Sequence, residues 1–256
     1  MYSKREGKLL TTRDKCPLCG APAAEARPFV TTAKGYDLYE CRGCGLVYGL
    51  VVPGLDELAA IYDDDYARGY ERPEIIKQNR AYADRFFSPG HRIPGRVLEI
   101  GCGTGHFLRR LREYGHDVLG VEASPALARY AWDLPVIAKP FEELPAVAAD
   151  FDYVVTFHVL EHIADPLAFA RKVATLLRRG GTGLNYMPNV RAWKPDVHGP
   201  GWIHFSPRTP AEHINFFDEK TIRGLFEKAG LAITGGGAQD DDFWVWYTRR
   251  DANAGT

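Results

Sequence analysis

The chain has 256 residues, of which 45% are hydrophobic and 25% charged, with a formal net charge of -1. This composition is ordinary for a globular protein of one or two domains. The near-zero charge gives no electrostatic reason to bind nucleic acid, and no apolar run reaches the roughly 18 residues of a membrane span. Because the N-terminus carries no apolar leader segment, we expect a cytoplasmic protein without nucleic-acid or membrane partners.

The N-terminal region contains four of the five cysteines in two pairs, each followed directly by glycine, with 21 residues between the pairs. Two residues between thiolates let a tight turn direct both sulfurs at one tetrahedral ion. The spacing therefore predicts a structural Zn²⁺ held by Cys16, Cys19, Cys41 and Cys44. Alternating segments at Tyr36–Glu40 and Leu46–Tyr48 predict a small zinc ribbon over residues 11–52. A disulfide pair or a rubredoxin-like iron site are the alternatives.

Residues 53–90 are expected to form a helical lid or linker. Leu55–Tyr62 carries apolar residues at helical spacing, and a second helix is expected from Glu74 to Phe87. The run Ser88-Pro89-Gly90 should then end it.

A glycine-rich loop follows the first strand of the remaining segment, residues 91–250. Gly101, Gly103 and Gly105 let the backbone approach a ligand, and the amides of the helix that follows can donate to it. Glu99 would repel a pyrophosphate but attract an ammonium, which indicates the methionine end of S-adenosylmethionine. A dinucleotide-binding loop would need a further glycine where this chain has His106.

The next predicted strand, Asp117–Glu122, ends in an acid 21 residues after Gly101, where a doubly wound sheet places a carboxylate against ribose hydroxyls. Together Glu99, the three glycines and Glu122 resemble the E/D-x-G-x-G-x-G loop and second-strand acid of class I S-adenosylmethionine-dependent methyltransferases. The resemblance covers roughly residues 55–250. It implies an α/β, Rossmann-like fold with a seven-stranded sheet in which only the last strand is antiparallel.

The resemblance also implies a cofactor site and a lid above it. Helices before the first strand form part of the lid in such enzymes, and Tyr62, Tyr66 and Tyr70 are candidates for it unless they only anchor the helices. Related enzymes often place an acid after the third strand for the adenine, whereas this chain has Pro140-Phe141 there. The remaining cofactor-binding candidates are Cys102, Ala123, Phe141 and Phe157, with Glu142 as a substitute for the missing acid.

The other predicted elements complete such a sheet. They are strands Pro135–Ala138, Phe151–Phe157 and Gly183–Met187, a helix Glu219–Ala229, and a hairpin of Leu231–Ile233 with Trp244–Tyr247.

A string of metal-binding residue types, His158, Glu161 and His162, comes directly after the fourth strand. It matches the H-x-x-E-H pattern of a protease zinc site, but that motif must lie within a helix. It also resembles the V-L-E-H-x-x-D-P segment of methyltransferases, some of which carry E-x-x-E-H there and bind a divalent ion. A second metal would then be held by these three residues with His213, and the mixed set would suit zinc, iron or manganese better than magnesium.

A metal-free interpretation competes with this one and is slightly favoured by the sequence. In it, His158 acts as a base while Glu161 and His162 cap the following helix. Either arrangement would activate a hydroxyl, so we expect a methyltransferase that acts on a hydroxyl of a small-molecule substrate. The alternatives are C-methylation of a nucleotide-linked sugar, since such enzymes combine a zinc domain with this fold, and a non-enzymatic ribbon that binds a protein. The long loop from Asn189 to Phe217 should orient the substrate.

Overall fold

The computed structural model describes residues 11–54, 61–145, 150–205 and 212–250. Most of the helix expected from Leu55 to Tyr62 lies outside these residues. Among the described residues, no helix combines the length and apolar character needed to cross a bilayer.

Short strands form the N-terminal ribbon. Their bounds are β1 Thr11–Thr12, β2 Arg27–Thr31, β3 Asp37–Glu40, β4 Val47–Gly49 and β5 Val51–Val52. Strands β2, β3 and β4 pair antiparallel, and β1 pairs with β5. The expected strands on either side of the second cysteine pair are therefore present, each shifted by one residue at its start.

The α-helices of the described residues all follow the ribbon along the chain. Their bounds are α1 Asp64–Tyr70, α2 Pro73–Phe87, α3 His106–Glu113, α4 Pro125–Ala128, α5 Pro166–Leu176, α6 Pro195–His198 and α7 Glu219–Lys228. The two longest that the sequence predicted, α2 and α7, begin within one residue of their expected starts. Pro73 at the first turn of α2 suits this position, since a first-turn residue has no intrahelical use for its amide.

Seven further strands build the central sheet. Their bounds are β6 Arg96–Ile100, β7 Asp117–Glu122, β8 Val136–Ala138, β9 Phe151–Phe157, β10 Leu177–Pro188, β12 Leu231–Gln239 and β13 Asp242–Arg249. Their order is β12-β13-β10-β9-β6-β7-β8, and only β13 runs antiparallel to its neighbours. This confirms the expected α/β methyltransferase sheet.

The fifth strand of the sheet, β10, is longer than predicted. The sequence predicted Gly183–Met187, but the strand begins at Leu177. Its pairing with β9 shifts register between Leu177 and Thr182, and Gly180 has a φ of 75°. Gly180 and Gly181 therefore form an irregularity within the strand and do not separate it from α5.

One very short strand connects the ribbon to the rest of the chain. Strand β11, Asn215–Phe216, pairs antiparallel with β4 through Asn215 opposite Tyr48 and Phe216 opposite Val47. The ribbon sheet therefore has the order β11-β4-β3-β2 and includes residues from beyond the predicted segment 11–52.

The parallel strands of the central sheet fix where functional groups meet. Strands β6, β7 and β9 are adjacent and parallel, so their carboxyl ends open on the same edge. Open α/β sheets bind ligands at this edge.

Candidate active site

The four N-terminal cysteines converge on one point. Their sulfurs all lie within 4.8 Å of one another, with Cys16 Sγ 3.6 Å from Cys44 Sγ and Cys19 Sγ 3.4 Å from Cys41 Sγ. Both separations exclude a disulfide, whose sulfurs are about 2.05 Å apart. Sulfurs at about 2.3 Å from a tetrahedral ion would be about 3.8 Å apart. The cluster is therefore compatible with zinc.

The two cysteine turns have the same backbone geometry. The amide of Gly20 donates to the Cys16 carbonyl and that of Gly45 to the Cys41 carbonyl, each at 2.9 Å. Both glycines have φ values near the left-handed region, at 77° and 86°. A glycine after each pair is what lets the chain reverse and bring both thiols to one side.

A cleft of about 1970 Å³ opens at the carboxyl ends of β6, β7 and β9. Its walls include every residue that the sequence assigned to the cofactor: Glu99, Gly101, Cys102, Gly103, Gly105, Glu122, Ala123, Phe141 and Phe157. Three of the four catalytic candidates also line it, namely His158, His162 and His213. The structure thus brings the predicted cofactor residues and these three histidines to one cavity.

The glycine loop is shaped by close packing as well as by its backbone angles. A Cβ on Gly101 would lie 2.5 Å from Val159 Cγ2, and one on Gly105 would lie 2.6 Å from Leu134 Cδ1. The φ values of these glycines are 74° and 81°, which disfavour any other residue. Gly105 also begins α3 without a side-chain cap, so the first amides of that helix stay available at the cleft.

Two carboxylates form the base of the cofactor part of the cleft. Glu99 is 3% exposed, and its Oε2 has no hydrogen-bond partner among the described residues. Burial, with a smaller contribution from Glu122, raises the pKa of Glu99 well above its usual value. A cationic ligand would reverse this effect, because an opposite charge favours the ionised carboxylate. This unpartnered buried oxygen fits the ammonium of S-adenosylmethionine.

Glu122 organises the loop as well as lining the cleft. Its Oε2 accepts a hydrogen bond from the Gly103 amide and its Oε1 accepts one from the Ser124 amide, both at 2.8 Å. Each oxygen keeps a second lone pair, which suits the pairing with ribose hydroxyls that the sequence predicted. Ser124 Oγ in turn donates to the Tyr62 carbonyl at 2.8 Å, which ties the start of the lid to this loop.

The remaining cofactor candidates differ in their surroundings. Cys102 is buried and its Sγ fills the space that a Cβ on Gly120 would need, so it packs the loop against β7. Phe157 stacks on Tyr82 of α2 with ring centroids 4.9 Å apart. Phe141 lies in a short 3₁₀ turn, Phe141–Glu143, and packs against Phe169 of α5.

Lys172, which the sequence did not single out, holds the Phe141 turn. Its ammonium on α5 donates to the carbonyls of Phe141, Glu142 and Leu144 at 2.7, 3.0 and 2.6 Å. These contacts fix the segment after β8 where an adenine acid was missing. No sequence pattern could have revealed them, because the acceptors are backbone atoms.

The lid tyrosines form a stack over the loop. Tyr62 meets Tyr66 edge to face at 4.9 Å, and Tyr66 stacks on Tyr70 at 5.1 Å. Tyr70 lies close to Gly103, since a Cβ there would be 3.7 Å from its ring. The Tyr62 hydroxyl also lies 3.3 Å from His162 Nδ1, so the lid meets the second part of the cleft.

A second group of metal-binding residue types lies beside the cofactor part. Glu161, His162 and His213 bring one ligand atom each to within 4.8 Å of one another. Glu161 is 2% exposed, and neither carboxylate oxygen has a hydrogen-bond partner among the described residues. Burial opposes ionisation of Glu161, but the neighbouring His158 more than offsets it, and the carboxyl pKa is lowered to about 2.

Both histidines of this group are held through the same ring nitrogen. His162 Nδ1 lies 2.9 Å from the Glu212 carbonyl, and His213 Nδ1 lies 2.7 Å from the His204 carbonyl. A carbonyl accepts only from a protonated nitrogen, so Nδ1 is the donor in both rings and Nε2 is the atom left for a ligand. Burial and the neighbouring His162 lower the pKa of His213 to about 3, which keeps that ring neutral. Neutral imidazoles fixed through Nδ1–H are the form in which histidine binds metals.

His158 lies next to this group but outside it. Its Nδ1 is 3.3 Å from Glu161 Oε1, and its Nε2 is 4.0 Å from Asp242 Oδ2. Burial lowers the pKa of His158, but Glu161 and Asp242 raise it above its usual value. The residue has a φ of 52°, unusual for a side chain with a Cβ. Its backbone amide donates to the Tyr186 carbonyl at 2.9 Å, which helps to hold this conformation.

The expected capping of the next helix by Glu161 and His162 is wrong. These residues form a separate 3₁₀ turn, Leu160–His162. Asp165 caps α5 and accepts the amide of Ala168 at 2.9 Å. An aspartate directly before the first helical proline is a good N-cap, because its short side chain reaches the exposed amides.

The sequence did not identify Asp242, and it placed His204 only within the long loop from Asn189 to Phe217. Asp242 begins β13, and its Oδ1 lies 3.9 Å from His204 Nε2. Burial raises the pKa of Asp242, although His158 and His204 oppose the effect. Asp242 belongs to a tight hairpin far along the chain, so only the sheet order brings it to His158.

Comparisons with known proteins give consistent results. The family described as "Methyltransferase domain" matches residues 70–234. A ubiquinone biosynthesis O-methyltransferase of Cereibacter sphaeroides is 31% identical over 171 residues, which cover 61% of this chain and 68% of that protein. A probable S-adenosylmethionine-dependent methyltransferase of Mycolicibacterium smegmatis is 30% identical over 193 residues, covering 71% and 68%.

A solved structure shares the fold. The crystal structure of an S-adenosylmethionine-dependent methyltransferase from Thermotoga maritima, described as a possible histamine N-methyltransferase, matches with a TM-score of 0.59. The match covers 75% of this chain and 100% of that one at 20% identity, which supports the architecture alone.

Proposed function

This chain belongs to the class I S-adenosylmethionine-dependent methyltransferases, and we propose that it transfers the methyl group to a hydroxyl oxygen of a small molecule. The sulfonium of that cofactor supplies an electrophilic methyl group. Relatives such as the ubiquinone biosynthesis O-methyltransferase support oxygen as the acceptor. The observation that carries the proposal is the cluster of Glu161, His162 and His213, because a hydroxyl is a poor nucleophile until a cluster of this kind activates it.

We further propose that this cluster binds a divalent ion. Glu161 is buried, with His158 Nδ1 3.3 Å from its Oε1 but no partner on its Oε2 among the described residues, and a buried charge is costly unless cations accompany it. Two imidazoles held through Nδ1 by backbone carbonyls, together with one carboxylate, match zinc, iron or manganese better than magnesium. When bound, such an ion would act as a Lewis acid that lowers the pKa of a nearby hydroxyl.

His158 is the proposed proton acceptor. It lies beside Glu161 at the mouth of β9, where it lines the cleft between the cofactor loop and the cluster. The flanking carboxylates of Glu161 and Asp242 stabilise the imidazolium that proton uptake would produce. The metal and base roles that the sequence offered as alternatives are therefore combined, with His158 as base beside the three ligands.

The aromatic lid has a complementary role in this proposal. Tyr62, Tyr66 and Tyr70 cover the cofactor loop and keep water from the reacting groups. The four cysteines are proposed to hold one structural zinc, since a closed Cys₄ site has no open position for a substrate. Residues 11–52, 53–90 and 91–250 then act as ribbon, lid and catalytic segment.

The test is methyl transfer from labelled S-adenosylmethionine to a panel of phenols, aromatic diols and nucleotide-linked sugars. We expect label on an oxygen of a hydroxylated acceptor, located by fragmentation in mass spectrometry. Label on a sugar carbon would favour the C-methyltransferase alternative. Absence of turnover with every acceptor class, combined with absent binding of S-adenosylmethionine by calorimetry, would contradict the proposal.

Glu161→Gln tests the cluster. Because the carboxylate is the only anionic member of the cluster, the substitution should lower kcat by about 100-fold while leaving cofactor affinity within about 2-fold. Elemental analysis should find two metal ions in the unsubstituted protein and one in Glu161→Gln. Glu113→Gln, on the exposed surface of α3, is the matched control and should retain both. Two ions in Glu161→Gln would place the second metal elsewhere.

A further inference from the structure

We infer that Arg13 of the ribbon and Asn215 of β11 set the distance between His213 and the Glu161–His162 turn. The ribbon would thus help to form the catalytic centre. The inference rests on the proposed function in that these three residues are taken to bind an ion. Both residues would act as positioning residues, since neither lines the group itself.

Arg13 joins three separate parts of the chain through backbone carbonyls. Its guanidinium donates to Gly49 of β4 at 3.2 Å and to Ile214 at 3.1 Å. It also donates to Ala164 at 2.8 Å. Ile214 directly follows His213, and Ala164 lies two residues after His162. One ribbon side chain therefore touches the backbone of both arms of the cluster.

Arg13 acts by binding backbone carbonyls and not by pairing with an acidic side chain. Among the described residues it has no carboxylate within ion-pair distance, although the ribbon carries other arginine pairs such as Arg27 with Glu40. A guanidinium presents five donors in a rigid plane and can satisfy carbonyls from several directions at once. Lysine offers a single flexible ammonium, so it would reproduce this arrangement only in part.

Asn215 makes the corresponding contacts from the other side. It is fully buried, and its Nδ2 donates to the Ile163 carbonyl at 2.7 Å and the Leu160 carbonyl at 3.3 Å. The Ile214 amide donates to the Glu161 carbonyl at 2.9 Å, and the Gly49 amide donates to the Ile214 carbonyl at 3.0 Å. A continuous chain of hydrogen bonds thus runs from β4 through Ile214 to Glu161.

This arrangement matters because the two arms are remote in sequence. His213 reaches the cluster just before β11, about fifty residues after Glu161, and β11 is fixed by pairing with the ribbon strand β4. Catalytic groups displaced by about 1 Å can lose about 100-fold in rate. The ribbon therefore controls a distance within the site without contributing a residue to the cluster.

The experiment compares Arg13→Ala and Arg13→Lys with Arg27→Ala, which removes a ribbon arginine that pairs with Glu40. We measure kcat, KM, cofactor affinity, Mn²⁺ affinity and amide exchange at Ile214. Arg13→Ala should lower kcat and Mn²⁺ affinity by about 10-fold each, as for other residues that orient ligands, with cofactor affinity within about 2-fold. Exchange at Ile214 should accelerate, and Arg13→Lys should fall between the two. Arg27→Ala should match the unsubstituted protein.

The outcomes separate the inference from the proposed function. Unchanged kcat and unchanged exchange at Ile214 in Arg13→Ala would overturn the inference while leaving the function intact. Failure of the unsubstituted protein to bind Mn²⁺ would instead refute the ion, and kcat with Ile214 exchange would still decide the role of Arg13. If Arg13→Ala does not fold, Arg13→Lys carries the same comparison at a smaller effect. Loss of zinc from the cysteine cluster in Arg13→Lys would also overturn the inference. The effect would then come from damage to the ribbon and not from the contacts of Arg13.

Discussion

At the scale of single residues, Gly103 has a backbone conformation that other residues rarely adopt, and it also borders the space that the cofactor would occupy. Its φ is 54°, and within the described part of the chain a Cβ here would come within 4 Å of Tyr70 alone. Gly103→Val should therefore weaken S-adenosylmethionine binding by at least about 10-fold, because the side chain is strained and enters the cleft. Calorimetry with the cofactor and its demethylated product measures this.

Gly115→Val is the control for backbone strain alone. Gly115 has a φ of 86° in the turn between α3 and β7, and it does not line the cleft. It should lose stability with little change in cofactor affinity. Equal weakening by both substitutions would show that strain, and not access, explains the effect.

Single residues were predictable where their chemistry needs a fixed spacing. The cysteine pairs, the alternate glycines and the His158 string were found because a ligand or turn imposes that spacing on neighbours in sequence. Arg13 and Lys172 could not be found in this way, because each binds backbone carbonyls and any residue can supply those. Asp242 depends on the order of strands in the sheet.

At the scale of elements, His116 joins the end of α2, the start of β6 and the middle of β9. Its ring meets Phe87 and Tyr153 edge to face, and its Nδ1 accepts the Gly95 amide at 3.2 Å. The ring is 4% exposed, and Nε2 has no partner among the described residues. Burial lowers the pKa of His116 below its usual value, so the folded protein keeps it neutral.

This burial predicts a loss of stability in acid. The unfolded state binds a proton near the ordinary pKa of 6.5, whereas the folded state binds it only at lower pH. Stability should therefore be full above pH 6.5 and decline below it, by at most about 1.4 kcal/mol per pH unit for one proton. His116→Asn, which keeps an acceptor for Gly95, should flatten the decline between pH 6.5 and 5 in urea unfolding. His91→Gln, in an exposed turn, should not.

Elements were predictable where a strand or helix has one regular period. The second and fourth strands of the sheet match their predicted bounds because each has a buried apolar centre, around Val121 in β7 and Val154 in β9. β10 was predicted too short because its glycine pair resembles a turn. β11 was missed because two residues have no period, and its pairing with β4 depends on the tertiary fold.

At the scale of the whole molecule, zinc in the cysteine cluster should stabilise the central sheet as well as the ribbon. Cys16 packs in the same apolar cluster as residues of the central sheet, including Leu98 and Val154. Cys16→Ser should remove the zinc and lower Tm by about 5–10 °C, because metal binding and folding of so small a unit are coupled. Cys102→Ser, at the buried cysteine outside the cluster, should keep the zinc. Zinc retained in Cys16→Ser would contradict a Cys₄ site.

Strand β11 also sets the order in which this protein can finish folding. During synthesis the cysteine turns and β2 to β4 emerge first, but the edge of β4 stays uncovered until residue 215 has been made. Uncovered strand edges pair readily with other chains. We therefore expect a chain released before residue 215 to leave the edge of β4 uncovered and to aggregate more readily than the 256-residue chain.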